Sequence, residues 1–280
     1  MKFKILLTSA ILSTLLISSA NAQNLGENLE VKDIDNKADI LNTRFSNLPE
    51  EQRRQYLNLR ADAHRYFSKK RTFETLIALQ KMSAIFDEDP IALNLEGAIY
   101  VEFRDFKKAR KTFKKAVNVT GEDPKILFNL AELEFCDNQW LSSIKNFEDL
   151  LQRIKNQKNT EFFRLVEFKI LLCQLALSQS EKTNISAEQK TEYLAQAKQL
   201  AHKYSYLIDS PYYYYANATL AFYEDDQSTA ADWILTAKTV FANSPSLLTS
   251  WDDTMVEFGY IEAHYGTHHS QIGESNTKSK

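Results

Sequence analysis

Residues 89–124 read DPIALNLEGAIYVEFRDFKKARKTFKKAVNVTGEDP, a stretch that begins and ends on Asp-Pro. The two prolines, Pro90 and Pro124, are 34 residues apart. An aspartate before a proline marks a helix start, because its carboxylate can accept an orphan amide of the first turn. Proline at the first helical position loses no hydrogen bond and has its φ preset. Inside the stretch Leu93, Gly97 and Tyr100 fall on one helical face, and Ala109, Phe113 and Ala116 on another. The spacing predicts two helices that pack together, closing on the start of a third.

Outward from this unit the same punctuation returns. Ser210-Pro211 and Ser244-Pro245 are also polar-proline pairs, and Pro211 and Pro245 are again 34 apart. One period upstream, Ala63 and Tyr66 echo Gly97 and Tyr100, with Thr75, Leu79 and Met82 on the following helix. One period downstream, Leu127, Leu130, Ala131 and Phe147 fit, with Ser143 in place of Ala109. The unit after Pro211 keeps Ala218, Ala230 and Ala237 and carries Ile234 where Phe113 would stand.

A 34-residue period of paired helices, with Gly97-x2-Tyr100 followed by Ala109-x3-Phe113, resembles the tetratricopeptide repeat family. The family's leucine before the glycine is replaced by Glu96. The resemblance implies an all-α fold, a right-handed α-solenoid of helix-turn-helix repeats with a C-terminal capping helix. The 87 residues from Pro124 to Pro211 leave one enlarged repeat, about 158–210, with helices expected at Thr160–Gln179 and Ala187–Ile208. Ser186 and Gln189 read as a capping box for the second. Along it Tyr193, Ala197, Leu200, Ala201, Tyr204, Leu207 and Ile208 make one stripe. A last helix, with Leu248, Trp251, Met255 and Phe258 near one face, would cover the end of the stack. The solenoid is expected over 49–264.

The flanks read differently. Residues 1–22 combine Lys2 and Lys4, a short apolar run and an Ala20-Asn21-Ala22 ending, the pattern of a signal peptide cleaved after Ala22. The run is shorter than a membrane span needs. The expected address is therefore the bacterial periplasm or the medium. Residues 23–48 form a polar lead-in with one short helix around Ile40, Leu41 and Phe45, and 265–280 read as a disordered tail. The formal net charge of the 280 residues is −3, and cleavage would remove two lysines and no acid. Acidity and export both argue against nucleic acid as a partner.

Function is less legible. The stretch Asp209–Tyr223, DSPYYYYANATLAFY, carries four consecutive tyrosines that cannot share one helical face. By the family resemblance, Tyr212, Tyr215, Thr219, Phe222 and Tyr223 line a concave groove, continued by Phe128, Glu132 and Phe135 and by Arg60, His64 and Phe67. Tyr214 would pack between paired helices. Such a groove implies a protein or peptide partner, with a saccharide as the alternative because tyrosine rings stack on sugars and carry a polar tip. The family's carboxylate clamp is not expected, since Asn94 and Ala98 stand where a lysine and an asparagine belong, although Asn129 fits.

FKKARKTFKKA, residues 106–116, reads as an outer helix whose lysines are solvated, with an anionic surface as the functional alternative. His264, His268 and His269 lack a carboxylate at ligand spacing, so no metal is expected. No phosphate loop, Gly-x-Ser-x-Gly elbow or His-Glu-x-x-His helix occurs, so neither an enzyme nor a cofactor is expected. Cys136 and Cys173 are expected to be free thiols.

Overall fold

The computed structural model describes residues 32–120, 123–181 and 184–262. The leader, the tail and His264, His268 and His269 lie outside the described residues. Within them the fold is all-α, with no strand. A lead helix α1 (Lys32–Ser46) precedes five hairpins. These are α2 (Glu50–Ser68) with α3 (Thr72–Ser83), α4 (Pro90–Glu102) with α5 (Phe106–Thr120), and α6 (Pro124–Cys136) with α7 (Trp140–Arg153). The enlarged pair α8 (Glu161–Ser178) and α9 (Ala187–Ala201) comes next, then α10 (Tyr212–Tyr223) with α11 (Gln227–Val240). A final helix, α12 (Thr249–Phe258), has no partner in sequence. Each pair packs antiparallel, and the pairs stack in chain order as a solenoid.

The starts follow the sequence logic. Asp89 accepts hydrogen bonds from the amides of Ile91 and Ala92, and Asp123 from that of Lys125. Ser186 and Gln189 form the reciprocal capping box. At Pro211 the proline is already helical (φ −59°) and Ser210 accepts from the Tyr212 amide, whereas Pro245 opens a short 3-10 turn ahead of α12.

The turns inside the hairpins repeat with the same period. Lys70, Arg104, Asn138 and Asp225 all take left-handed backbone, with φ of 55°, 56°, 56° and 63°. In each case the next amide reaches back five residues: Arg71 to the Tyr66 carbonyl, Asp105 to Tyr100, Gln139 to Glu134 and Asp226 to Ala221, at 2.8–2.9 Å. This is the Schellman closure, which satisfies helix-end carbonyls and here uses no glycine. The first three sit 34 residues apart, so the repeat is written in backbone conformation as well as in packing.

Within a hairpin the helices meet through small-against-large contacts. Gly97 and Ala109 are buried, and the Phe113 ring lies against Gly97 with no exposed surface. Thr75, Leu79 and Met82 are buried in the first pair as their register requires. Two elements differ from the sequence expectation. The second helix of the enlarged repeat ends at Ala201, not Ile208, and a separate 3-10 turn, Tyr206–Ile208, leaves Leu207 76% exposed rather than on a buried stripe. The lead helix is also longer than expected, with Phe45 edge-on to Tyr56 and Phe86 at 5.1 and 5.4 Å.

Candidate functional site

The first helices of the hairpins, α2, α4, α6, α8 and α10, carry the residues expected on the inner face. At the end formed by α6, α8 and α10 this face is not open. α12 lies along it. Trp251 sits 5.2 Å from Phe168, 6.0 Å from Tyr212 and 5.7 Å from Tyr215, ring centre to ring centre. One turn on, Met255 accepts the Thr219 hydroxyl through sulfur at 3.4 Å. Phe258 meets Phe135 and Trp140 of the α6–α7 hairpin. Trp251, Met255 and Phe258 follow i, i+4, i+7 spacing, one face of a helix, and all three are buried.

The expected groove residues are therefore mostly core, which corrects the sequence reading. Tyr212, Tyr215, Thr219, Phe128, Glu132 and Phe135 are all buried. The tyrosine hydroxyls find partners inside: Tyr212 donates to the Leu200 carbonyl at 2.8 Å and Tyr215 to Asp252 at 2.7 Å. Burial, and for Tyr215 also the Asp252 carboxylate, pushes both phenols well above their ordinary range. Phe222 and Tyr223 remain half-buried, Phe222 stacked on Tyr260 at 5.0 Å and Tyr223 accepting from the Ser178 hydroxyl. Tyr214 packs towards Trp233 of α11 and Phe241 just past its end, yet is only half-buried.

At the far end of the inner face His64 is exposed and Arg60 and Phe67 are half-buried on α2. Asn129 donates to Asn94 at 2.7 Å, so the one asparagine at a clamp position is engaged between α4 and α6.

A charge cluster missing from the sequence expectation lies under α12. Lys169, with no exposed surface, places Nζ 3.0 Å from Glu132 and 3.3 Å from Glu257, and 4.8 Å from the Phe135 ring centre. Glu132 comes from α6, Lys169 from α8 and Glu257 from α12, so one buried cation ties three helices together. The contact with Glu132 is one of charge proximity, since neither of its oxygens makes a well-directed hydrogen bond among the described residues. Burial pushes the Glu132 carboxyl up to about 7 against the pull of Lys169, and the neighbouring Glu257 charge adds to the rise. Burial would lower Lys169, but the two carboxylates outweigh it and hold the ammonium above its ordinary value. Glu132 and Lys169 occupy equivalent inner positions of successive repeats, 37 residues apart. That opposed pairing was the available signal.

Both cysteines are free thiols, with burial pushing Cys173 up to about 12. Among the described residues no three His, Cys, Asp or Glu side chains converge as a metal site, and no helix is long and apolar enough to cross a membrane. On α5, Arg110 forks onto Glu134 and reaches Asp137 at 2.8 Å, and Lys115 pairs with Asp87, while Lys107, Lys111 and Lys114 face solvent.

No family model and no curated protein matches the chain. Solved structures similar to it include the TPR2B-domain:pHsp70 complex of yeast Sti1 (15% identity, 41% of this chain and 93% of that one, TM-score 0.38). YrrB, described as a TPR protein with an unusual peptide-binding site, is similar at 14% identity over 68% of this chain and 87% of its own, with a TM-score of 0.39. The APC/C hetero-tetramer Cut9–Hcn1 is similar at 15% identity over 90% of this chain and 49% of that one, with a TM-score of 0.41. On its own period, turns and packing, the chain is an all-α solenoid of tetratricopeptide-like helix pairs.

Proposed function

We propose that this chain is an exported, non-enzymatic scaffold that binds a protein partner by receiving an amphipathic helix on its inner face. The observation that carries the reading is α12 itself. A ten-residue helix lays Trp251, Met255 and Phe258 into the face built by α6, α8 and α10. Helix-in-groove recognition uses the same i, i+4, i+7 anchors. The segment Ala242–Leu247 that leads into α12 is exposed throughout, so the resident helix is joined to the last hairpin by a surface connection. Export is supported by the leader-like residues 1–22 and places the partner in the periplasm or the medium. The saccharide alternative is less favoured, because Tyr212 and Tyr215 are buried with their hydroxyls already engaged by Leu200 and Asp252, leaving only Phe222 and Tyr223 half-buried.

The test is to insert a protease site between Ala242 and Ser246, cleave, and ask what α12 does. The reading expects the cleaved C-terminal piece to stay bound and to exchange with a labelled peptide of residues 247–260, but not with the same peptide bearing Trp251→Ala and Phe258→Ala. A piece that dissociates from a still-folded body and does not rebind would show that the face takes no helix in trans.

A further inference from the structure

The opposite end of the solenoid presents a surface of different chemistry. Phe73, at the start of α3, is 70% exposed, and Phe103, just past the end of α4, is 39% exposed. Their rings stack on each other at 5.1 Å and 29° instead of turning inward. Ile77, one turn along α3, is also exposed. A phenylalanine has no polar tip, so its exposure stabilises nothing in water. A stacked pair held out on a turn edge marks an interaction surface.

The pair is set among cations. The α2–α3 turn supplies Lys69, Lys70 and Arg71, and the α4–α5 turn supplies Arg104 with Lys107 and Lys108 one turn further on. Arg71 is paired with Glu74 and Lys108 with Asp105. Glu102 sits beside Lys70 and Thr72, with burial pushing its carboxyl up. Lys69, Arg104 and Lys107 form no ion pair among the described residues. The edge therefore carries a net positive charge on an acidic chain. The equivalent turn of the last hairpin reads Glu224-Asp225-Asp226, so basicity is local to the first two repeats.

We propose that this edge docks on an anionic lipid bilayer, with Phe73 and Phe103 entering the interface and the flanking Lys and Arg side chains at headgroup level. Apolar side chains that insert and cations that meet anionic headgroups are the two contributions that hold a protein on a membrane surface without a spanning helix. A uniformly charged acidic chain would use the cations but leave the stacked rings in water, whereas an anionic bilayer takes up both, which favours the bilayer.

The experiment is sedimentation of the chain lacking residues 1–22, which retains all the described fold, with vesicles of phosphatidylglycerol or of phosphatidylcholine. The proposal expects binding to the first, little to the second, and release by salt. Lys69→Glu with Lys107→Glu should reduce partitioning more than about tenfold, since each cation near such a surface is worth about fivefold. Separately, Phe73→Ser with Phe103→Ser should also reduce it clearly, by removing the apolar surface that inserts. Lys155→Glu with Lys158→Glu, exposed elsewhere, should change it little. Unchanged melting of all three double variants shows that the fold is intact. No binding to phosphatidylglycerol at low salt overturns the proposal, as does binding insensitive to the edge substitutions. Binding of polyglutamate through the same cations, with none to vesicles, would assign the edge to a soluble acidic partner and equally overturn it.

Discussion

Gly97 lies directly against the ring of Phe113: a methyl group added at Gly97 would stand 2.5 Å from Phe113 Cε1 and 2.7 Å from Cδ1. The ring is fully buried and cannot swing into solvent. Gly97→Leu should therefore cost about 1–3 kcal/mol by overpacking, even after the gain in helix propensity of about 1 kcal/mol that any departure from glycine brings. Phe113→Ala should cost about 3–5 kcal/mol through the cavity it leaves. In the double variant the losses should not add, because the cavity accepts the leucine. Denaturant unfolding of the three variants measures this, and strict additivity would mean that the two residues do not share a contact.

The left-handed turn residues give a second, graded expectation. Lys70 and Arg104 hold φ near 55° with a Cβ, a conformation that costs an ordinary residue about 1–2 kcal/mol, whereas asparagine at 138 tolerates it better. Part of that gain is lost to glycine's extra chain entropy. Lys70→Gly and Arg104→Gly should each raise stability by about 0.5–1 kcal/mol, and Asn138→Gly by less. Melting temperatures rank the three, and a loss at Arg104→Gly would contradict the turn geometry.

The range over which a residue acts explains why much of the fold was legible and the site was not. The period, the Asp89 and Asp123 caps and the Ser186–Gln189 box depend on residues within a few positions of each other, so their sequence spacing carries the structure. The path of α12 depends on where helices far apart in sequence come to lie. Trp251, Met255 and Phe258 are visible as an apolar face, but nothing local says that Phe258 reaches Phe135 rather than solvent. The tyrosine run misleads for the same reason. A ring that looks built for a ligand becomes core once Leu200 and Asp252 satisfy its hydroxyl.

The tyrosines can be ordered by substitution. Tyr212 and Tyr215 are fully buried, so Tyr212→Ala and Tyr215→Ala should each cost about 3–5 kcal/mol, while half-buried Tyr214→Ala should cost clearly less. Tyr215→Phe isolates the hydroxyl. It removes a 2.7 Å bond to Asp252, which stays partly exposed and 3.9 Å from Lys238, so the cost should be about 1 kcal/mol, the usual net worth of one hydrogen bond. Tyr214→Ala as the most damaging of the set would restore the open groove that the packing of Trp251 denies.

Beneath α12, pH should act through Glu132. Its carboxyl is raised by burial to about 7, against an ordinary value near 4.3 in the unfolded chain. Between those values the folded state holds more protons than the unfolded one, so stability falls as pH rises through the window and is greatest at its acid end. Lys169, held above its ordinary value, contributes stability that is intact throughout this range and lost only at strongly alkaline pH. Glu96, Glu102 and Glu148 are also raised by burial and act in the same direction, so the wild-type slope alone does not identify the residue responsible. The difference between wild type and Glu132→Gln does. The variant keeps the shape, removes one of two carboxylates facing a single cation, and should flatten the decline in melting temperature between pH 5 and pH 8 on the order of a few degrees. Lys169→Met should do the opposite, because Glu132 and Glu257 would then face each other without a buried cation, at a cost of about 3–5 kcal/mol near neutral pH that shrinks on acidification. Thermal melts of wild type and both variants across this range separate the two effects. A Glu132→Gln slope parallel to wild type would mean that Glu132 is ionised throughout and that the cluster under α12 is a balanced structural tie rather than a titrating one.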